Sequence, residues 1–296
     1  MAGKVWKRVD GVLLLDKPTG MTSNAALQVA RRLFSAAKGG HTGTLDPLAS
    51  GLLPLCFGVA TKFSSDVLTA DKTYEAEVRF GLRTATGDAE GVVLKTRPVS
   101  FGLPDLEEAL VSFRGSIQQV PPMYSALKKS GRPLYEWARQ GIEVPREARS
   151  VVIHELRLLD YSGDRCRLHI VCSKGTYIRS LADELGERLA SGAHLTVLRR
   201  IQVGALQVTN AVTLDELVGL SEEARKQRLL PPDCLLQGLP PVHLSDADGQ
   251  AFGHGQAVDC VGLPGRYRVY RNGMLLGLGE LDDRSQLRPC RVIPGA

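Results

Sequence analysis

The sequence predicts an α+β fold, one large unit followed by a small β-rich module. Three observations carry that expectation. Segments with apolar residues at every second position alternate with segments whose apolar residues recur at helical spacing. A proline-rich stretch, Pro231-Pro232 and then Leu239-Pro240-Pro241, reads as a semi-rigid connector. Beyond it come glycines and short alternations such as Tyr267-Arg268-Val269-Tyr270 and Met274-Leu275-Leu276-Gly277-Leu278. The expected division is 1–230, a connector over 231–245, and a module over 246–296.

At 296 residues the chain can bury a large core. A formal net charge of +5 is a mild basic bias that tilts the reading toward a polyanionic partner. The six cysteines form no C-x-x-C pair, which argues against a structural zinc site, and no metal is expected. Met1 to Arg8 contains no apolar signal core and no apolar run is long enough to cross a bilayer, so a cytoplasmic protein with reduced thiols is expected.

In chain order, Gly11 to Leu15 is a short apolar strand ending in the turn Asp16-Lys17-Pro18-Thr19-Gly20-Met21-Thr22-Ser23. Ser23 is placed to cap a helix whose stripe is Ala26, Leu27, Ala30, Leu33 and Phe34. Gly39 to Gly51 is a glycine-rich loop carrying His41 and Asp46, and Leu52 to Phe57 is a buried segment. Lys62 to Leu68 suggests a short helix. From Lys72 to Gly81 the period is two, with Tyr74, Ala76, Val78 and Phe80 on one face. Thr84 to Gly91 is a polar loop, and Leu106, Leu110 and Phe113 mark a helix. Residues 118–126 read as irregular and then extended. Val151 to Tyr161 and Arg165 to Ser173 form a hairpin, followed by a helix with Leu181, Leu185 and Leu189. Leu195 to Ile201 is strand-like and Leu214 to Leu220 helical.

Several residues have a plain and a chemical reading side by side. Taken alone, Asp46-Pro47 fits first a helix N-cap with proline at the first helical position, and beside that a carboxylate on a glycine-rich loop against an apolar wall. His41 alone is a structural hydrogen bonder before it is a catalyst. Tyr74 is a core tyrosine or an aromatic platform at a pocket edge. Arg179 lies near a helix start, the wrong end of the dipole for a cation, and that placement asks for a carboxylate partner. Lys128, Lys129, Arg132, Arg139, Arg146 and Arg149, interleaved with Tyr135 and Trp137, describe a solvated surface or a nucleic-acid track.

Taken in order, five segments resemble the motifs of the bacterial TruB family, the tRNA pseudouridine synthases that act on uridine 55 of the T-loop. They are Asp16 to Ser23, Gly39 to Gly51, Lys72-Thr73-Tyr74, Ser173 to Arg179, and Leu198-Arg199-Arg200. The resemblance runs from Gly11 to about Leu220, and the last residues resemble the small PUA-like RNA-binding module that closes this family. It implies a mixed, mainly antiparallel central sheet flanked by helices. It implies Asp46 as the catalytic carboxylate and Arg179 as its partner, with Tyr74, Tyr177, Leu198 and Lys17 around the pocket. His41, Lys62, Arg132, Arg139, Arg146 and Arg199 are expected to meet RNA. The partner is the T-arm of tRNA, the protein is expected to be a monomer, and no cofactor is required: there is no Walker A sequence and no strand-linked G-x-G-x-x-G. Two other classes stand beside this reading, a non-catalytic RNA-binding or tRNA-folding protein on the same fold, and a hydrolase built on His41 and Asp46.

Overall fold

The computed structural model describes residues 5–295. Its centre is one 11-stranded sheet. The strands on its main path are β1 (Gly11–Lys17), β2 (Ser50–Phe57), β3 (Lys72–Phe80), β4 (Gly115–Gln119), β5 (Arg149–Tyr161), β6 (Arg165–Cys172), β7 (Ala193–Val203) and β8 (Val212–Thr213), arranged in the order β8-β1-β2-β7-β3-β6-β5-β4. The joints β8–β1 and β2–β7 are parallel and the rest of the path is antiparallel, so the sheet is mixed and mainly antiparallel. Gly39–His41 pairs with β2 off this path.

The helices are α1 (Ser23–Phe34), α2 (Ser64–Leu68), α3 (Leu103–Val111), α4 (Leu134–Ala138) and α5 (Ile178–Arg188), with shorter ones after β8. Strand alternation separates two cores. On β1, Leu13 and Leu15 join Ala26, Leu27 and Ala30 of α1 and Leu181 and Leu185 of α5, while Val12 and Leu14 face the other way onto Leu52, Cys56 and Phe63. On β3 the buried face is Tyr74, Ala76, Val78 and Phe80, as the period of two requires.

Four expectations are corrected. Asp46-Pro47 starts no helix: residues 42–49 are irregular, so the cap reading of Asp46 fails. The cap of α1 is Thr22, whose hydroxyl accepts from Ala25 N at 3.1 Å, and Ser23 is buried and engaged elsewhere. In the stretch 115–127 the extended part comes first, as β4, because it pairs with β5, and the irregular part follows. The segment 231–245 is no extended spacer. A 3₁₀ turn, Pro232–Leu236, packs Cys234, Leu235 and Leu236 into the second core, where apolar burial outweighs proline's preference for an extended chain. Pro241–His243 then becomes a strand of the following sheet.

That sheet is 5-stranded: Pro241–His243, Val258–Asp259, Gly265–Arg271, Met274–Leu281 and Gln286–Val292, with helix Asp246–Gly253 laying Phe252 on it. Leu278 of this module joins the second core, and Asp66 of α2 holds both Arg266 (2.7 Å) and Arg291 (2.9 Å). No helix among the described residues is long and apolar enough to cross a membrane.

Candidate active site

The glycine-rich loop is fastened at several points. Ser23 Oγ accepts from Leu45 N (2.7 Å) and donates to Leu45 O (3.0 Å), and Gly20 N donates to Pro47 O (2.8 Å). From beneath, Arg200 donates through Nε to Leu52 O (2.8 Å) and through Nη2 to Gly43 O (3.2 Å). Gly51 is obligatory here: its φ is +100° and a Cβ would lie 2.2 Å from Arg200 O. These bonds present Asp46 at the mouth of a cavity of about 580 Å³, its side chain 35% exposed.

Arg179 is the partner that its helix position demanded. It lies in the first turn of α5, 5% exposed, and each nitrogen has an acceptor. Nε meets Asp46 Oδ2 at 2.9 Å, Nη1 donates to Thr86 O at 2.9 Å and Nη2 donates to Tyr124 O at 2.7 Å. Asp88, 3% exposed, stands 3.7 Å from Nε. The acid and its surroundings therefore form a charged chain, Asp46–Arg179–Asp88, in which one guanidinium serves two carboxylates. Burial pushes the Asp46 carboxyl above the ordinary range, Arg179 pulls it back, Asp88 pushes it up again, and the net direction is upward. Such a carboxylate is more basic and a better nucleophile than an exposed one once ionised.

Tyr74 and Leu198 come from neighbouring strands, β3 and β7, and both face this cavity. Tyr74 is 9% exposed, and burial raises its phenol so that it is neutral. Tyr177 caps α5, and Gln119, 2% exposed, grips its backbone at both ends: Gln119 Oε1 accepts from Tyr177 N (2.7 Å) and Nε2 donates to Tyr177 O (3.0 Å). Asp46, Arg179, Tyr74, Tyr177 and Leu198 are thus brought together around one space.

The other expected residues are not in the lining. Lys17 is fully buried, and its Nζ donates to Pro18 O and Met21 O, both at 2.8 Å. Burial lowers its pKa to about 8, with Asp46 and Glu90 opposing. It braces the turn that carries Gly20 and lends Asp46 a positive field. His41 is half-buried, its imidazole held neutral by burial and by Arg200; its Nδ1 is buried without a hydrogen bond, so it is no structural hydrogen bonder at that atom. Arg199 forms a bidentate pair with Asp16 (3.0 and 2.6 Å), Arg132 bonds Glu136 (2.9 Å) and stacks on Trp137, and Arg139 lies over Tyr135. Arg146 donates to Pro121 O (3.0 Å), and Lys62 donates to Val292 O (2.8 Å), tying the catalytic sheet to the C-terminal module.

Sequence reasoning missed Arg200, Asp88, Gln119 and Lys72. Arg200 was legible: on a strand it shares a face with Leu198, whereas Arg199 points away. Asp88 and Gln119 carried no local signal, because their partners are distant in the chain. Among the described residues, no group of His, Cys, Asp and Glu is arranged to hold a metal.

Comparison with known proteins identifies the family. Residues 31–178 match the model of the TruB family pseudouridylate synthase N-terminal domain. Residues 179–237 match the tRNA pseudouridylate synthase B C-terminal domain, and 240–293 the C-terminal model of pseudouridine synthase II TruB. The tRNA pseudouridine synthase B of Dechloromonas aromatica is 58% identical over 98% of this chain and 97% of its own length. That of Aromatoleum aromaticum is 54% identical over 96% and 93%. The fold resembles a Cbf5-Nop10-Gar1 complex chain, with TM-score 0.74 and 24% identity over 96% of this chain and 85% of that one. An archaeal box H/ACA sRNP Nop10-Cbf5 complex chain gives TM-score 0.74 and 22% identity over 99% and 93%. Motif order, the paired aspartate and arginine, and full-length identity converge: the chain belongs to the TruB family of pseudouridine synthases.

Proposed function

We propose that this enzyme isomerises uridine 55 in the T-loop of tRNA to pseudouridine, with Asp46 carrying the chemistry. The observation that supports this most is a single loop carboxylate, ion-paired to a buried arginine, at the mouth of a cavity walled by Tyr74 and Leu198. The reaction breaks the C1′–N1 glycosidic bond, turns the base, forms C1′–C5, and exchanges the C5 proton for one on N1. Asp46 acts on the nucleotide as nucleophile or as base, and Arg179 keeps it ionised and aimed. Extracting the uridine from its stack costs a few kcal/mol. Stacking on Tyr74 returns about 1–3 kcal/mol. Phosphate contacts from the basic residues of the 128–149 region supply the remainder. The 246–296 module is the second RNA-binding surface, the protein acts as a monomer, and handling the T-arm in this way suits a part in tRNA folding.

The test is tritium release from C5 of uridine in an unmodified tRNA transcript without added cofactor. Release is expected from the wild type, and none from Asp46→Asn or from a transcript with the T-loop uridine replaced. Turnover by Asp46→Asn at the wild-type rate would remove Asp46 from the chemistry.

A further inference from the structure

Of the charged side chains lining the cavity, Asp46 and Arg179 neutralise one another, and two cations remain, Lys72 and Arg200. Lys72 opens β3 and is 8% exposed; Arg200, on the adjacent β7, is 1% exposed. Neither forms an ion pair with an acidic side chain among the described residues. Asp71, beside Lys72 in sequence, is turned to His154 at 3.3 Å. Lys174 adds a third positive charge at the rim, between Ser173 and Gly175, which line the cavity.

Arg200 donates to Leu52 O and Gly43 O, engages the Tyr74 phenol and contributes field. Lys72 has more to give. Its Nζ donates to Leu68 O (2.8 Å) and Ala70 O (2.5 Å), which leaves one of the three ammonium N–H groups unassigned in a residue that lines the cavity. Two neighbouring buried cations with no ion-paired anion, only the weaker pull of Asp71 on Lys72, are costly unless a ligand supplies one. Burial, and then the field of Arg200, already lower the Lys72 ammonium to about 8.

We infer that Lys72 is the contact residue of a phosphate subsite inside the cavity, taking a phosphodiester that flanks the target uridine, with Arg200 and Lys174 supplying supporting charge. The inference rests on the reading of the site as a nucleotide pocket. A uracil is neutral and gives this wall nothing to neutralise, whereas every extracted nucleotide brings a phosphate on each side. A charge-assisted hydrogen bond from an ammonium already held by two carbonyls needs little reorganisation.

The test pairs protein and RNA changes. T-arm stem–loops carry a neutral methylphosphonate on the 5′ or the 3′ side of the target uridine, and kcat/KM for tritium release is measured with wild type and Lys72→Met. With wild type, one of the two neutral linkages is expected to cost about tenfold or more. With Lys72→Met that same linkage should cost less than twofold. Each comparison is made within one variant, so a general loss of stability cancels. Lys72→Gln, which keeps a donor for the end of α2, gives the same comparison should Lys72→Met not fold. If both linkages remain as costly in Lys72→Met as in wild type, the ammonium only caps α2 and the inference is overturned. It is also overturned if Lys174→Met, rather than Lys72→Met, abolishes the sensitivity. Absence of wild-type turnover on the unmodified stem–loop would instead count against the proposed function.

Discussion

Replacing Arg179 by lysine tests the central geometry most directly. The guanidinium holds three segments at once: Asp46 at 2.9 Å, Thr86 O at 2.9 Å and Tyr124 O at 2.7 Å. An ammonium is a point donor without the planar fork, so in a buried position it can keep Asp46 only by abandoning the two carbonyls. Each carbonyl left without a donor costs about 1–3 kcal/mol, which sums to roughly 2–6 kcal/mol of stability. The effect on rate follows from aim. Loss of the fork frees the Asp46 carboxylate to move, and a misplacement of about 1 Å costs on the order of 10² in rate. RNA affinity should change far less, since Arg179 is 5% exposed and its three nitrogens are already engaged by Asp46, Thr86 O and Tyr124 O. Single-turnover tritium release and filter binding on the same preparation separate the two. A single-turnover rate within fivefold of wild type, or an affinity loss that accounts for the whole effect, would refute this account of Arg179.

Four further outcomes follow from the same contacts. Asp46 has to be ionised, and its pKa is raised in the fold, so turnover should be full above that pKa and fall as pH drops through it. Asp88 contributes to that rise, so Asp88→Asn should move the acid limb of the pH–rate profile to lower pH; an unmoved limb would mean that Asp88 does not reach Asp46 electrostatically. Gln119→Leu leaves Tyr177 N without a partner, while Tyr177 O keeps its bond from Leu181 N, and should cost roughly 1–3 kcal/mol in urea unfolding; a loss below about 0.5 kcal/mol would show that the grip on Tyr177 is dispensable. Gly51→Ala forces a Cβ to 2.2 Å from Arg200 O at φ +100° and should cost more than about 3 kcal/mol, read by thermal unfolding, with activity falling in parallel; a fully stable variant would mean the two strands can part without penalty.

Much of this molecule could be read locally. The buried face of β3, the stripe of α1 and the hairpin of β5 and β6 are written in short-range periodicity. Arg179 is a case where a misfit was the signal: a cation at a helix start required an anion, and Asp46 is that anion. The errors have a common physical origin. Asp46-Pro47 has the local chemistry of a helix start, but the bonds from Ser23, Gly20 and Arg200 hold the loop open, and those residues are remote in sequence. Ser23 looked like a cap because its partner, Leu45, lies in another segment. The prolines after Pro231 suggested a spacer, yet apolar contacts to β1 and β2 fold that stretch onto the sheet. Asp88 and Gln119 took their roles from Arg179 and Tyr177, tertiary neighbours which no window of sequence contains.

The position of β7 has a consequence for how the protein is made. This strand, residues 193–203, lies between β2 and β3, which precede it by more than a hundred residues, and it supplies Leu198 and Arg200. On the ribosome the residues that precede β7 therefore emerge as two half-sheets with open edges, and Asp46 has no arginine until residue 179 has left the tunnel. Only insertion of β7 joins the halves and closes the cavity floor. Nascent fragments thus lack the finished pocket, and their exposed edges are where aggregation or chaperone capture would act. Pocket completion and the joining of the half-sheets are one late event, so a truncated product ending before β7 has neither a continuous sheet nor a working site.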